Sequence, residues 1–152
     1  MDEGNELVKV RFFIEPKEEH NRVQHIGLRL VVTEKIIPAG FERGMVFNLP
    51  DGTVEVALEG NKMDIQLFHK NLKENLIYWL EEKTTNKEAL KQMIGNPGIC
   101  ITDLEYKKNL CVLDVGLYSH SLEMNQFSKG IDIFYELTAA IKDLRDTLKA
   151  QR

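Results

Sequence analysis

The chain has 152 residues, with 20 Lys+Arg against 24 Asp+Glu and a formal net charge of −4. That length fits one domain of ordinary size that can bury a core without disulfide or metal staples. A composition of 43% hydrophobic and 29% charged residues argues against disorder, and the slight acidity excludes broad attraction to nucleic acid or anionic lipid as the main activity.

Residues 7–14 form a β-branched and aromatic run that reads as a strand, ended by Pro16 and the charged run Lys17-Glu18-Glu19. Residues 21–29 read as a loop feeding a helix over 27–37, which Pro38 and Gly40 stop. The β-branched run Val31-Val32-Thr33 weighs against that helix. Residues 45–49 and 53–58 are two strands facing each other across Pro50-Asp51-Gly52, a hairpin turn with a structural role.

Asn61 is placed to cap a helix in which Ile65, Phe68, Leu72, Leu76, Trp79 and Leu80 recur at helical spacing. Thr84-Thr85-Asn86 breaks it, and residues 87–94 read as a short further helix ended by Gly95-Asn96-Pro97-Gly98. Residues 99–106 and 110–117 read as strands around a solvated tip at Lys107-Lys108-Asn109. From Ser121, a candidate N-cap, no proline interrupts Phe127, Ile131, Phe134, Thr138, Ile141, Leu144 and Leu148 at i+3 and i+4 steps, so a long C-terminal helix is expected.

This order predicts an α+β, ferredoxin-like βαββαβ sandwich: an antiparallel sheet with helices on one face, an extra strand and a long C-terminal helix. The expected organisation is a single domain over 1–152, with its core in 7–117 and a helical extension in 121–152. The apolar face of that extension is widened by Ile133, Leu137 and Ala140, so it must be buried, either on the chain's own sheet or against a partner, of which a second copy in a homodimer is one.

Cys100 and Cys111 lie in apolar runs without CxxC spacing and are expected as buried free thiols. His20, His25, His69 and His120 show no metal-ligand spacing, so no metal and no cofactor is expected. The acidic start MDEGNELVKV does not read as a signal peptide, and no apolar stretch approaches the ~20 residues of a membrane helix. A cytoplasmic protein without a membrane or nucleic-acid partner is the expectation. RNA binding on the sheet is set aside for want of an aromatic-rich strand.

Two segments stand out together: Asn21-Arg22-Val23-Gln24-His25-Ile26-Gly27-Leu28-Arg29, and the hairpin from Gly44 to Gly60 containing Asn48, Asp51, Gly52, Val54, Glu55, Val56, Glu59 and Gly60. The pair resembles the acylphosphatase family, whose signatures are a G-R-V-Q-G-V-G-F-R phosphate loop and a G-x-V-x-N-x-x-D-G-x-V-E-V-x-x-E-G hairpin. The similarity covers roughly residues 7–80. The resemblance implies hydrolysis of small acyl phosphates to carboxylate and orthophosphate without metal or covalent intermediate. It assigns phosphate binding to Arg29 and to the loop residues Arg22, Val23, Gln24, His25, Ile26 and Gly27, and water positioning to Asn48.

Elementary chemistry fits those assignments. Backbone N–H groups at a helix N-terminus and the planar fork of an arginine both suit a phosphoryl group, and a neutral amide orients water without competing as a nucleophile. Asn21 and His25 stand where the family has glycine, and Leu28 replaces an aromatic. The insertion at 15–20 brings carboxylates near the loop. A catalytically inactive module of the same fold, working by anion binding or by protein interaction through the C-terminal helix, is the alternative.

Overall fold

A computed structural model of the chain describes residues 5–24, 26–95 and 98–150; His25, Asn96 and Pro97, and the side chains of Gln126, Phe127 and Ile133, lie outside the described residues. Two compact units are present, Met1–Tyr118 and Ser119–Arg152. The first is built on strand β1 (Leu7–Pro16), whose Val10, Phe12 and Ile14 alternate into the core at 0% exposure while Lys9 and Arg11 take the other face.

β1 is followed by helix α1 (Leu28–Ile36), strands β2 (Arg43–Asn48) and β3 (Val54–Asn61), and helices α2 (Lys62–Lys83) and α3 (Lys87–Ile94). Short strands β4 (Ile99–Ile101) and β5 (Glu105–Tyr106) and the long helix α4 (Val115–Ala150) complete the order. The sheet runs β2-β3-β1-β4, with β5 also on β1, and every pairing is antiparallel. This is the expected α+β architecture.

One core joins the inward side chains of β1 and β3 to Leu28, Val31, Val32 and Ile36 of α1 and to Ile65, Phe68, Leu72, Leu76 and Leu80 of α2. Each such fully buried side chain is worth ~1.5–3 kcal/mol over leaving it in water, which overrides the weak helix propensity of Val31-Val32-Thr33. Thr33 completes the adjustment by donating its hydroxyl to the Arg29 carbonyl at 2.6 Å. Trp79 is only half-buried in the α2 stripe, with the Lys35 ammonium 5.0 Å from its ring centroid. Asn61 accepts from the N–H groups of Met63 and Asp64 and caps α2 as its sequence position implies.

Three expectations need correction. Residues 110–117 do not form a strand: they add an isolated bridge between Arg43 and Asp114, and α4 starts at Val115. The fifth strand is β5 instead, cut from the predicted 99–106 run where Thr102 turns to bond β1. Ser121 is inside α4 and not its cap. Asp114 does that work, with its carboxylate accepting from the Leu117 N–H at 3.1 Å and its carbonyl from Tyr118 N–H. Cys100 and Cys111 are free but exposed: Cys100 points away from the face that Ile99 and Ile101 share, and Cys111 sits in an irregular segment.

Two stability predictions follow from these contacts. Asn61→Ala removes the α2 cap and should cost about 1 kcal/mol, read as a lowered urea midpoint at unchanged slope. His69 is buried edge-on against Phe12, with Nε2 bonded to the Thr102 carbonyl at 2.8 Å, and burial lowers its pKa below the ordinary 6.5. The unfolded chain therefore binds the proton more tightly. Stability should be fully present above pH 6.5 and decline as pH falls below it towards the folded pKa, and His69→Phe should remove that part of the slope.

Candidate functional site

The loop between β1 and α1 ends on Gly27, which has φ 81° and caps α1 without any side-chain hydrogen bond. A left-handed residue there is natural for glycine and turns the chain sharply into the helix. The first intrahelical bond closes from Val31 N–H to the Gly27 carbonyl, so the N–H groups of Leu28, Arg29 and Leu30 have no carbonyl of the helix to bond. Those groups and the helix dipole favour negative charge.

Arg29 sits in this first turn, half-exposed. Among the described residues its guanidinium makes no hydrogen bond and has no carboxylate within 4.0 Å, a setting that leaves the charge available. Its charge is felt at the Tyr118 hydroxyl, which donates to the Val46 carbonyl of β2 and also meets Thr33. Burial raises the Tyr118 phenol pKa above its ordinary value, and Arg29 pulls the other way.

Asn48 lies two residues beyond Val46. Gly44, Val46 and Asn48 alternate onto the face of β2 that packs under α1, since a Cβ on Gly44 would meet Ile36 and Leu58. The Oδ1 of Asn48 is buried and, among the described residues, has no hydrogen-bond partner. A buried carbonyl left unpaired costs ~1–3 kcal/mol.

The loop itself is held by side-chain amides. Gln24 donates from Nε2 to the carbonyls of Leu49 and Thr53 at 2.8 and 2.9 Å, across the neck of the β2–β3 hairpin and next to Asn48. Asn21 is 5% exposed; it accepts from Glu18 N–H and donates to the Ile94 carbonyl at 3.0 Å. The Arg22 N–H donates to the Met93 carbonyl at 2.8 Å. The last carbonyls of α3, which no helical donor can reach, are thus satisfied by the loop. Gly95 is required for this contact: its φ is +67°, and a Cβ would lie 2.6 Å from Asn21 Nδ2.

The assigned loop residues therefore divide. Val23 and Leu28 are buried and Ile26 packs on the core, so only their backbones can meet a ligand. Gln24 braces, and the Arg22 N–H is already engaged. His25 lies outside the described residues. The inserted Glu18 and Glu19 are exposed, and Glu18 approaches His20 Nδ1 at 3.4 Å. They line, with Lys17, Arg22, Gln24 and Asp51, a cavity of about 540 Å3 beside the loop.

Asp51 accepts from both Thr53 N–H and its hydroxyl, which lowers its pKa and locks the turn, as a structural role demands. The bracing of the loop by Asn21 and α3, and the reach of Tyr118, were not visible in the sequence. The one local signal for Tyr118 was Asp114, a cap residue four positions earlier. Among the described residues no group of three His, Cys, Asp or Glu could hold a metal, and no helix is long and apolar enough to cross a membrane.

No protein-family profile matches the chain. A curated acylphosphatase from Thermus thermophilus is 43% identical over 53 residues, which make up 35% of this chain and 59% of that protein. The chain therefore matches about three-fifths of that relative's length. Among solved structures, an acylphosphatase from Coxiella burnetii is 18% identical and aligns over 71% of this chain and 85% of its own, with a TM-score of 0.39. On the 53-residue match, the chain carries an acylphosphatase-like domain.

Proposed function

We propose that the chain hydrolyses small acyl phosphates to carboxylate and orthophosphate. One observation carries this reading: a buried Asn48 Oδ1, without a partner among the described residues, lies on the sheet face beneath α1, whose first turn offers an Arg29 unpaired among the described residues and three N–H groups with no carbonyl of the helix to bond. The relationship to a curated acylphosphatase supports the reaction class.

In this reading the N–H groups of Leu28, Arg29 and Leu30, with those at the end of the loop, hold the phosphoryl oxygens. The Arg29 fork takes two of them and stabilises the charge that spreads over them in the transition state. Asn48 Oδ1 accepts a hydrogen from a water and holds its oxygen in line with the departing acyl oxygen. The water oxygen bonds to phosphorus as the bond from phosphorus to the acyl oxygen breaks. The carboxylate leaves with the electron pair, and the proton from water stays on orthophosphate or passes to solvent. Each residue acts by position and charge alone.

The test is hydrolysis of acetyl phosphate and benzoyl phosphate. Arg29→Ala and Asn48→Ala should each lower kcat by ~10²–10³-fold. Arg29→Lys should recover little, because an ammonium cannot reproduce the two-pronged contact. Activity that survives both alanine changes would refute the proposal. Gln24→Ala frees the loop from the hairpin without touching substrate, so it should raise KM for acetyl phosphate, checked by steady-state kinetics on a variant whose circular dichroism is unchanged. Phosphate binding that depends on Arg29 without any turnover would instead favour an anion-binding module.

A further inference from the structure

Arg29 and Asn48 can act on one substrate only at a fixed separation, yet they stand on different elements, α1 and β2. Among the described residues no hydrogen bond runs directly between those two elements. Ile36 of α1 and Val46 of β2 share the apolar core, but apolar packing is not directional. A misplacement of ~1 Å costs on the order of 10²-fold in rate, so a directional link between the two carriers has value for the chemistry.

Tyr118 supplies that link. Its ring packs on the core from the first turn of α4, and its hydroxyl donates to the Val46 carbonyl, two residues before Asn48. β2 is the last strand of the sheet, so no further strand is there to take up that carbonyl. The same hydroxyl meets Thr33, whose own hydroxyl donates to the Arg29 carbonyl at 2.6 Å. A path of two hydroxyls thus joins β2 beside Asn48 to the backbone of Arg29.

The stem that carries the phenol is itself fixed. Gly44 N–H donates to the Leu113 carbonyl at 3.0 Å, Val115 N–H to that of Glu42 at 2.8 Å, and Tyr118 N–H to that of Asp114 at 2.9 Å. Phenylalanine would fill the same space, whereas a half-buried hydroxyl costs free energy unless it is hydrogen-bonded. Burial raises the phenol pKa above its ordinary value, so the group stays a donor at neutral pH.

We propose that the Tyr118 hydroxyl is a positioning group: it fixes β2 against α1 so that Asn48 holds its water in line with the phosphoryl group carried by Arg29 and the loop. This role rests on the reading of the site as an acyl phosphate hydrolase, and the hydroxyl itself touches no reacting atom.

Tyr118→Phe keeps the ring and removes only the oxygen. It should lower kcat for acetyl phosphate by ~10–10²-fold. KM and the inhibition constant of inorganic phosphate should stay near their wild-type values, because Arg29 and the loop N–H groups still bind the anion. The double variant Tyr118→Phe/Asn48→Ala should turn over as fast as Asn48→Ala alone, since the hydroxyl acts through Asn48. A group that merely stabilised the fold would slow both backgrounds alike. An unchanged kcat in Tyr118→Phe, or losses that multiply in the double variant, would overturn the proposal.

A second measurement needs no turnover. In 1H–15N spectra the side-chain amide pair of Asn48 should shift in Tyr118→Phe, while that of Asn61, at the other end of the β2–β3 hairpin, stays in place. An Asn48 signal that does not move would overturn the positioning role whether or not the chain hydrolyses acetyl phosphate. Absence of hydrolysis by the unaltered chain, with the Asn48 signal moving, would instead refute the hydrolase reading and leave the link between β2 and α1 standing.

Discussion

The connection from β1 to α1 depends on two side-chain amides, those of Gln24 and Asn21. Gln24 ties it to the hairpin through the carbonyls of Leu49 and Thr53, and Asn21 ties it to the end of α3 through Ile94. A loop that presents backbone N–H groups to an outside partner cannot use them to hold itself in place. Here the holding donors are the carboxamides of Gln24 and Asn21 together with the Arg22 N–H, which donates to the Met93 carbonyl. The left-handed Gly27 then aims the start of α1 outward, and Arg29 follows two residues later.

This arrangement also gives α3 a role in holding the loop. The last carbonyls of α3, at Met93 and Ile94, accept from Arg22 N–H and from the Asn21 carboxamide. Where the family's loop has its first glycine, this chain has Asn21, and the side chain that glycine lacks makes the brace. Tyr118 adds a second support from the far end of the unit, linking Val46 on β2 to Thr33 and Arg29 on α1. Both supports act on elements adjoining Asn48 and Arg29, and neither replaces them.

Much of the fold was legible in the residues. Period-two alternation in β1, the cap at Asn61 and the Pro50-Asp51-Gly52 turn are local signals, and each appears where the chain implies it. The misreadings arose where local preference was ambiguous. Residues 110–117 alternate well enough for a strand, but Asp114 offers a helix cap and the segment meets β2 through a single bridge. Leu110 and Val112 could satisfy either pattern, and only the position of the β2 edge decides. The two cysteines were misplaced for a similar reason: an apolar neighbourhood in sequence does not say which face of a three-residue strand a side chain takes.

The sequence by itself determined the acylphosphatase-like character of the first half, the polarity of the hairpin and the identity of Arg29 and Asn48 as a pair worth testing, because these rest on residue type and short spacing. Tertiary structure decided which polar groups are spent and which are left over. Gln24, Asn21 and the Arg22 N–H are engaged in bracing, whereas the Asn48 oxygen and the Arg29 guanidinium have no partner among the described residues. That distinction is a matter of hydrogen-bond accounting between segments as far apart as residues 21 and 94, which no local pattern encodes.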